Sequence, residues 1–493
     1  LGIDNIISNG KIRASYGHIG NENVGANAFI STITMGNKNV NWIGSNGGLV
    51  SSAGMPTVVS KSLTWERIET TDVGIDLGFL NNELTLGFDW YNRNTKDMLA
   101  PGITVPGTMG ASAPQRNAGS MRTRGWELSL GWNHSFGDAM VYATFALSDA
   151  KSKVTQWDNT DGTIYSYTAG KSGYLFYEGQ NYGDIWGFSV DRYFEESDFA
   201  GKDKDGNWIY GENTPDQSYL AYNPFHFGPG DVKFKDLNGD GVINNGNADM
   251  IEVDGKTYVP GQTGYEAALA NPEHKSVPVG TLRNHGDLKV VGNALPRYEY
   301  SFRLGAAWKG FDIDLFFQGV GKRKMWQIST FNIPIAALGS GVFEHQLDYN
   351  KYIVDANDAI IGYEIDQSNQ YPCTYAGTFG YNSRMRNTCD QGINNFTCSD
   401  RYLINMAYLR MKNITVGYTI PADITKKAYI QKARIYFSAE NPFFIYNGAG
   451  EYKIDPELTR GEAANAYSSA GVASLFRVAP MMKSYSFGLQ VTF

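Results

Sequence analysis

The chain has 493 residues, a formal net charge of -8 and a sequence pI near 5.4, a balance that excludes an electrostatic nucleic-acid binder. Aromatics make up 14% of it, with 31 Tyr, 10 Trp and 56 Gly, a mixture that favours strands and turns over helices. No apolar run approaches the ~18 residues of a transmembrane helix, yet a mean hydropathy of -0.34 is compatible with a membrane barrel, whose strands are apolar only at alternate positions.

The opening LGIDNIISNG has neither an initiator Met nor a charged segment leading into an apolar core, so the expectation is a piece of a longer protein. Period-two alternation then begins at IRASYG, residues 12 to 17, and side chains that alternate across a strand give one apolar and one polar face. VGIDLGF sets Val73, Ile75, Leu77 and Phe79 against Gly74, Asp76 and Gly78, and LTLGFDW repeats the pattern at Leu84, Leu86, Phe88 and Trp90. WELSLGW places Trp126, Leu128, Leu130 and Trp132 together, and VYATFAL follows with Val141, Ala143, Phe145 and Leu147. YEYSFRLGAAW, FDIDLFF and ARIYFSAE, starting at Tyr298, Phe311 and Ala433, continue the series. YLRMKNITVGY changes phase by one residue between Met411 and Ile414, which predicts a bulge near Lys412 and Asn413. The chain closes on YSFGLQVTF, residues 485 to 493, again strictly alternating.

These are about ten strands, each near the ~9 to 11 residues of a tilted membrane strand. Tight turns at Leu80 to Glu83, Ser135 to Asp138 and Trp308 to Phe311, and a moderate one from Ile420 to Ile430, alternate with long polar segments. The long segments span roughly 18 to 64, 97 to 121, 152 to 295, 321 to 407 and 444 to 474. Short periplasmic turns alternating with long extracellular loops are the pattern of an all-β, antiparallel transmembrane barrel. Asp72, Asp76, Asp89, Glu127, Glu299, Arg303, Asp312, Asp314, Arg434 and Glu440 all fall on the polar face. Charges in a narrow dry interior are costly, so the lumen holds water or a polar plug. That favours the ~22-stranded class, of which these ten strands form the C-terminal part. Phe79, Phe136, Trp308, Phe311 and Phe493, beside the tight turns, are placed for an interfacial girdle.

The strongest local motif is GPGDVKFKDLNGDGVINNGNAD, residues 228 to 249. Asp236, Asn238 and Asp240 with Gly241 match the first half of a calcium loop; Val242 offers a carbonyl, Asn244 the ninth position, and Asn247 stands where a bidentate Glu is usual. The two readings are bound calcium and a carboxylate-capped turn, and DKDGN at 203 to 207 reads as an Asx turn. Cys373, Cys389 and Cys398 lack metal-type spacing and are either a loop disulfide with one thiol over or three unpaired thiols. Trp157, Tyr165, Tyr167, Trp186 and Trp208 are candidates for stacking on sugar rings or clasping peptide, against a reading as loop packing. With six His and neither GxSxG nor HExxH, the sequence gives catalysis no support.

PGDVKFKDLNGDGVIN, ALPRYEYSFRLGAAWKGFDIDLFFQGVG, YLRMKNITVGYTIP, ARIYFSAENPF, DPE at 455 to 457 and the terminal SFGLQVTF resemble SusC/RagA-type TonB-dependent transporters, and LTWERIETTDVGIDLGFLNNELTLGFDWYNRNTKDML resembles a TonB-dependent receptor barrel. The resemblance implies an outer-membrane importer of oligosaccharides or peptides, set in outer-membrane lipids and lipopolysaccharide. Its implied partners are a SusD-like surface lipoprotein, in a possible dimer of such pairs, and TonB, reached through an N-terminal plug and TonB box that these residues do not include. The competing expectation is a complete ten-stranded passive pore or adhesin, in which the strand near Ile12 to Gly17 pairs with the last one.

Overall fold

In a computed structural model the chain is described at residues 7–21, 30–33, 35–36, 43, 47, 52–56, 58–60, 63–100, 108, 114, 116–157, 162, 164, 176–221, 226–326, 343–357, 359–373, 395–452, 454–457 and 481–493. One ten-stranded antiparallel sheet dominates, running in strict chain order. Its strands are β1 (Ile7–Asn21), β2 (Glu66–Phe79), β3 (Leu84–Ala100), β4 (Arg116–Phe136) and β5 (Ala139–Trp157), followed by β6 (Arg297–Trp308), β7 (Phe311–Lys322), β8 (Tyr408–Ile420), β9 (Lys432–Asn447) and β10 (Ser484–Thr492). The ten alternating segments of the sequence are these ten strands. β1 and β10 stand at opposite edges and do not pair among the described residues, unlike the closed ten-strand alternative.

Register follows from the tight turns. Leu80, Asn81 and Asn82 take positive φ angles of 52, 58 and 66°, and Asn tolerates that region with little cost. Gly137 (φ 58°) reverses β4 into β5, and Lys309 with Gly310 (φ 47 and 90°) reverses β6 into β7. The expected phase change is a bulge at Lys412: Phe316 pairs with Asn413 while Phe317 pairs with Met411, so Lys412 has no partner across the ladder.

Paired residues of an antiparallel ladder share a face, and the apolar set does so throughout. Phe88 pairs with Leu128, Leu128 with Leu147, Leu304 with Leu315, and Ile435 with Leu489. This face is bare of protein: Leu489 is 67% exposed, Phe487 84% and Ile12 79%, well beyond what isolated surface leucines need. The turn-side aromatics Phe136, Trp308, Phe311 and Phe493 are exposed as well, and Phe79 is half-buried.

The dry core lies elsewhere. Between β5 and β6 the chain builds a cap of short strands, among them Asp184–Gly187, Val190–Tyr193, Val232–Phe234 and Lys289–Asn293. Its core includes Phe188, Tyr193, Phe194, Val232, Phe234 and Ile243, and Tyr371, Phe396 and Tyr402 join it from the segment between β7 and β8. Polar ties lock the two segments together. Ser189 Oγ and the Val190 amide donate to Asp400 at 2.6 and 2.9 Å, the Val232 amide donates to Asn395 Oδ1 at 2.7 Å, and the Tyr193 amide donates to Gln367 Oε1 at 2.7 Å. The segments expected as long loops are therefore a folded unit with its own apolar interior.

Candidate functional site

The polar face of the sheet gathers the charges that the alternation placed there. Arg13 bridges two strands, its Nε 2.8 Å from Asp76 and its Nη1 2.8 Å from Asp89. Arg303 Nε lies 2.7 Å from Asp314, whose carboxylate also accepts the Tyr142 hydroxyl, and Arg434 pairs with Asp312 at 2.5 Å. A shallow concavity of about 350 Å³ on the same face is lined by Asp89, Glu127, Ser129, Ser148, Glu299, Ser301 and Gln318. Half-exposed pairs of this kind stabilise little individually. Their consequence is chemical: the wall is hydrogen-bonding, hydrated and of mixed charge, suited to a polar solute or a polar plug.

Glycines on this face make room for tyrosines. A Cβ at Gly305 would sit 2.1 Å from Tyr142 Cζ, and one at Gly488 would sit 2.1 Å from Tyr436 Cζ. The two rings thus lie flat across the neighbouring strand, where a larger residue would displace them. The Gly in SFRLGAAW and in SFGLQVTF is explained by this contact and not by a turn.

At the long-loop end the segment that follows β9, which carries the DPE of residues 455 to 457, is fastened to β8 by an ion cluster. Arg410, 4% exposed, donates to Asp455 Oδ2 at 2.5 Å and to Glu457 Oε2 at 2.6 Å, with its guanidinium 3.9 Å from the centre of the Phe444 ring. Lys412 donates to Glu457 Oε1 at 2.7 Å, so the bulge turns this lysine onto the carboxylate. Arg323 Nη1 adds a bond to the Pro456 carbonyl at 3.3 Å. Two carboxylates flanking a proline, set against a phase-shifted strand carrying Arg410 and Lys412, was the available signal; which cations they held was not readable from spacing.

The remaining predicted residues divide as follows. Trp157 stacks edge-on against Phe176 at 4.8 Å, Trp186 Nε1 donates to the Tyr177 hydroxyl at 3.0 Å, and Trp208 Nε1 donates to the Tyr363 hydroxyl at 3.3 Å. Trp186 and Trp208 pack against the cap core while keeping part of their surface open. Tyr165 and Tyr167 lie outside the described residues, as does Cys389; Cys373 is buried, and Cys398 is a free thiol in the cap core whose pKa burial pushes up.

The loop from Asp236 to Asn244 satisfies its carboxylates with its own backbone. Asp236 accepts the amides of Gly239 and Gly241 at 2.6 and 2.8 Å, Asp240 accepts that of Val242 at 2.9 Å, and Asn238 Oδ1 accepts that of Asp240 at 3.0 Å. Asn244 Oδ1 accepts the Gly246 amide at 2.7 Å. The fully buried Asp287 underpins this loop, taking the Leu237 and Asn244 amides at 2.7 and 2.9 Å. Burial raises the Asp287 pKa, the nearby Asp236 and Asp240 add to it, and the two amides oppose it. Among the described residues no three His, Cys, Asp or Glu side chains converge as a metal site would require, so the donor set fits calcium only in part.

The chain matches the family described as TonB dependent receptor-like, beta-barrel, over residues 1–223. It is 24% identical to TonB-dependent receptor P3 of Formosa agariphila, over 99% of this chain and 40% of that relative. It is likewise 24% identical to the TonB-dependent receptor SusC of Bacteroides thetaiotaomicron, over 94% of this chain and 37% of that protein. Among solved structures, the RagAB peptide transporter aligns with 99% of this chain and 41% of its own, with a TM-score of 0.58 and 18% identity. The chain thus spans about two fifths of the length of these proteins. Exposed apolar ribbons on one face of the sheet, charges on the other and these likenesses agree: the chain is similar to the SusC/RagA-type TonB-dependent receptors, and its sheet is that of an outer-membrane β-barrel.

Proposed function

We propose that this chain forms the C-terminal wall and the extracellular cap of a TonB-dependent importer that carries nutrient oligomers, oligosaccharides or peptides, across the outer membrane. A SusD-like surface lipoprotein closes over the cap, and TonB delivers energy through a plug held in the lumen. The observation that carries the reading is the hydrated wall of Arg13, Asp76, Asp89, Arg303, Asp314, Asp312 and Arg434 beneath a folded cap. A charged wall this broad needs a wet passage or a polar plug beside it. The relatives' printed names, receptor and peptide transporter, support import over catalysis.

Uptake of labelled oligosaccharide and peptide pools by cells carrying the intact protein, with and without TonB, tests this. Uptake that vanishes without TonB is expected, together with a surface lipoprotein that co-purifies. TonB-independent uptake would indicate a passive pore. Cap aromatics Trp186 and Trp208, half-open on a firm base, are the proposed contacts for cargo, and their paired replacement by Ala should weaken uptake while leaving barrel assembly intact. Calcium in the Asp236–Asn244 loop is a separate proposal; calcium heats that are the same for the wild type and Asp240→Ala would remove it.

A further inference from the structure

We propose that the outward face of β4 and β5, at their long-loop ends, is a docking site for the phosphorylated headgroup of an outer-leaflet lipid. Arg124 pairs across the ladder with Lys151, and Arg122 with Lys153, which sets four cations in two rows on one face. Asn92 and Asn94 of β3 continue the rows, each accepting from a guanidinium Nε at 3.2 Å. All four cations are exposed, and among the described residues no carboxylate lies within ion-pairing distance of any of them. The nearest carboxylate on this face, Asp149, is already held by Arg297. Rows of alternate residues on a strand are ~7 Å apart and neighbouring strands ~5 Å apart, a spacing at which several donors reach one phosphate together.

Height fixes the occupant. Trp126, the residue below Arg124 on the same face, pairs with Trp90, and from there the outward side chains run through Leu128, Leu130 and Trp132 to Phe136 at the tight turn, with His134 held between the Trp132 and Phe136 rings and bonded to Glu83 as the single polar side chain of the run. Ten residue steps at ~3.4 Å, on a strand tilted ~40°, rise ~26 Å, which matches the ~25 Å apolar band of an outer-membrane barrel. The cations therefore begin where hydrocarbon ends, on the side of the long segments, at the level of outer-leaflet headgroups. Among the described residues of the sheet they form one arc. At the corresponding end of β9 the exposed residues are Phe443, Ile445 and Tyr446, and on β2 and β3 Arg67 and Lys96 are neutralised by Asp97 and Glu69. Lys151 also borders a cleft of about 480 Å³ where β5 and β6 splay, lined by Lys322, Lys324, Asp184 and the Asp149-paired Arg297, so charge of both signs continues from the cations toward the cap. An outer leaflet of lipopolysaccharide presents the lipid A phosphates at this height. The inference rests on the outer-membrane placement of the sheet and is independent of import.

Native mass spectrometry of the intact protein, released from non-ionic detergent with added lipid A, tests it. Four arms are compared: wild type, the neutral set Arg122→Gln, Arg124→Gln, Lys151→Gln and Lys153→Gln, the charge-keeping set Arg122→Lys, Arg124→Lys, Lys151→Arg and Lys153→Arg, and wild type with dephosphorylated lipid A. A surface cation near a charged leaflet contributes roughly fivefold, so the neutral set should lose well over tenfold in lipid A binding while the charge-keeping set holds it. Barrel assembly is checked by the migration of unboiled samples. A folded neutral set that binds as wild type does, or equal binding of phosphorylated and dephosphorylated lipid A, overturns the proposal. Displacement of lipid A by millimolar inorganic phosphate would overturn the lipid assignment in favour of a free-anion site.

Discussion

The sheet and the cap of this chain solve the burial problem in opposite ways. In the cap, Phe188, Tyr193, Phe194 and Val232 are fully buried, and the Tyr193 and Val232 amides are paired with Gln367 and Asn395. In the sheet, Phe487, Leu489 and Ile12 stand bare while the charged residues occupy the other face. The same alternation that would mark a half-buried strand in a soluble sandwich here marks a strand with two solvents, hydrocarbon and water. The cap is a protein interior; the sheet borrows its apolar environment from the membrane.

Breaking the cap core tests the first half of that contrast. Phe188→Ala or Phe234→Ala should cost ~3 to 5 kcal/mol. Limited proteolysis should then cut between residues 176 and 296 while the unboiled barrel keeps its migration. Loss of both together would show that sheet and cap are one cooperative unit. The buried ion cluster of the cap comes next. Asp198, 6% exposed at its side chain, pairs with Arg192 at 2.7 Å and Lys233 at 2.8 Å. Burial opposes its ionisation, yet the two cations outweigh that and hold its pKa below the usual carboxylate range. Asp198→Ala leaves the largely buried Lys233 without its carboxylate and Arg192 with only Glu195 at 4.0 Å, and should cost ~3 kcal/mol. Because the folded pKa is the lower one, this stabilisation is present above the ordinary aspartate range and lost as pH falls through the folded value. Hydrogen exchange of the cap should therefore differ between wild type and variant at neutral pH and converge in acid.

The sheet is probed by Leu304→Arg, mid-height on the apolar face and 42% exposed. In the membrane it should cost ~2 to 4 kcal/mol. Ser301→Arg, on the polar face, should change unfolding by well under that amount. Equal effects in a folding titration from urea into lipid vesicles would show that the two faces share one environment. The smallest effect is expected at Asp240→Ala, which removes the bond to the Val242 amide and should cost ~1 kcal/mol of local stability, read by hydrogen exchange at that turn.

The sequence carried the sheet almost whole because each link in it is local. Alternation gave the strands, Asn81, Asn82 and Gly137 gave the tight turns, and one slipped residue gave the Lys412 bulge. The cap was not legible for the opposite reason. Its core joins Phe188 to Ser399 and Val232 to Asn395, residues separated by more than a hundred positions and by two strands of the sheet. No periodicity announces such a contact, so a folded unit read as loop. The candidate site falls between these cases. The charged wall was visible as the polar half of the alternation, whereas the Arg410, Lys412, Asp455 and Glu457 fastening joins a strand to a distant loop. The Trp186 and Trp208 candidates were found by residue type, and only the fold shows that each has one face committed to packing. The calcium loop shows the limit of motif reading: Asp236 and Asp240 stand where the pattern puts them, and backbone amides already occupy their oxygens.

The central claim is that hydrocarbon covers the apolar face of the sheet. Spin labels placed one at a time at Ser486, Phe487, Leu489, Gln490 and Val491, with the intact protein in lipid vesicles, test it most directly through their collisions with oxygen, which partitions into lipid, and with a water-soluble nickel complex. The account predicts a period of two: oxygen-rich collisions at Phe487, Leu489 and Val491, and nickel-rich collisions at Ser486 and Gln490. Uniform nickel access along the strand, or shielding of Phe487 and Leu489 from both reagents, would contradict it.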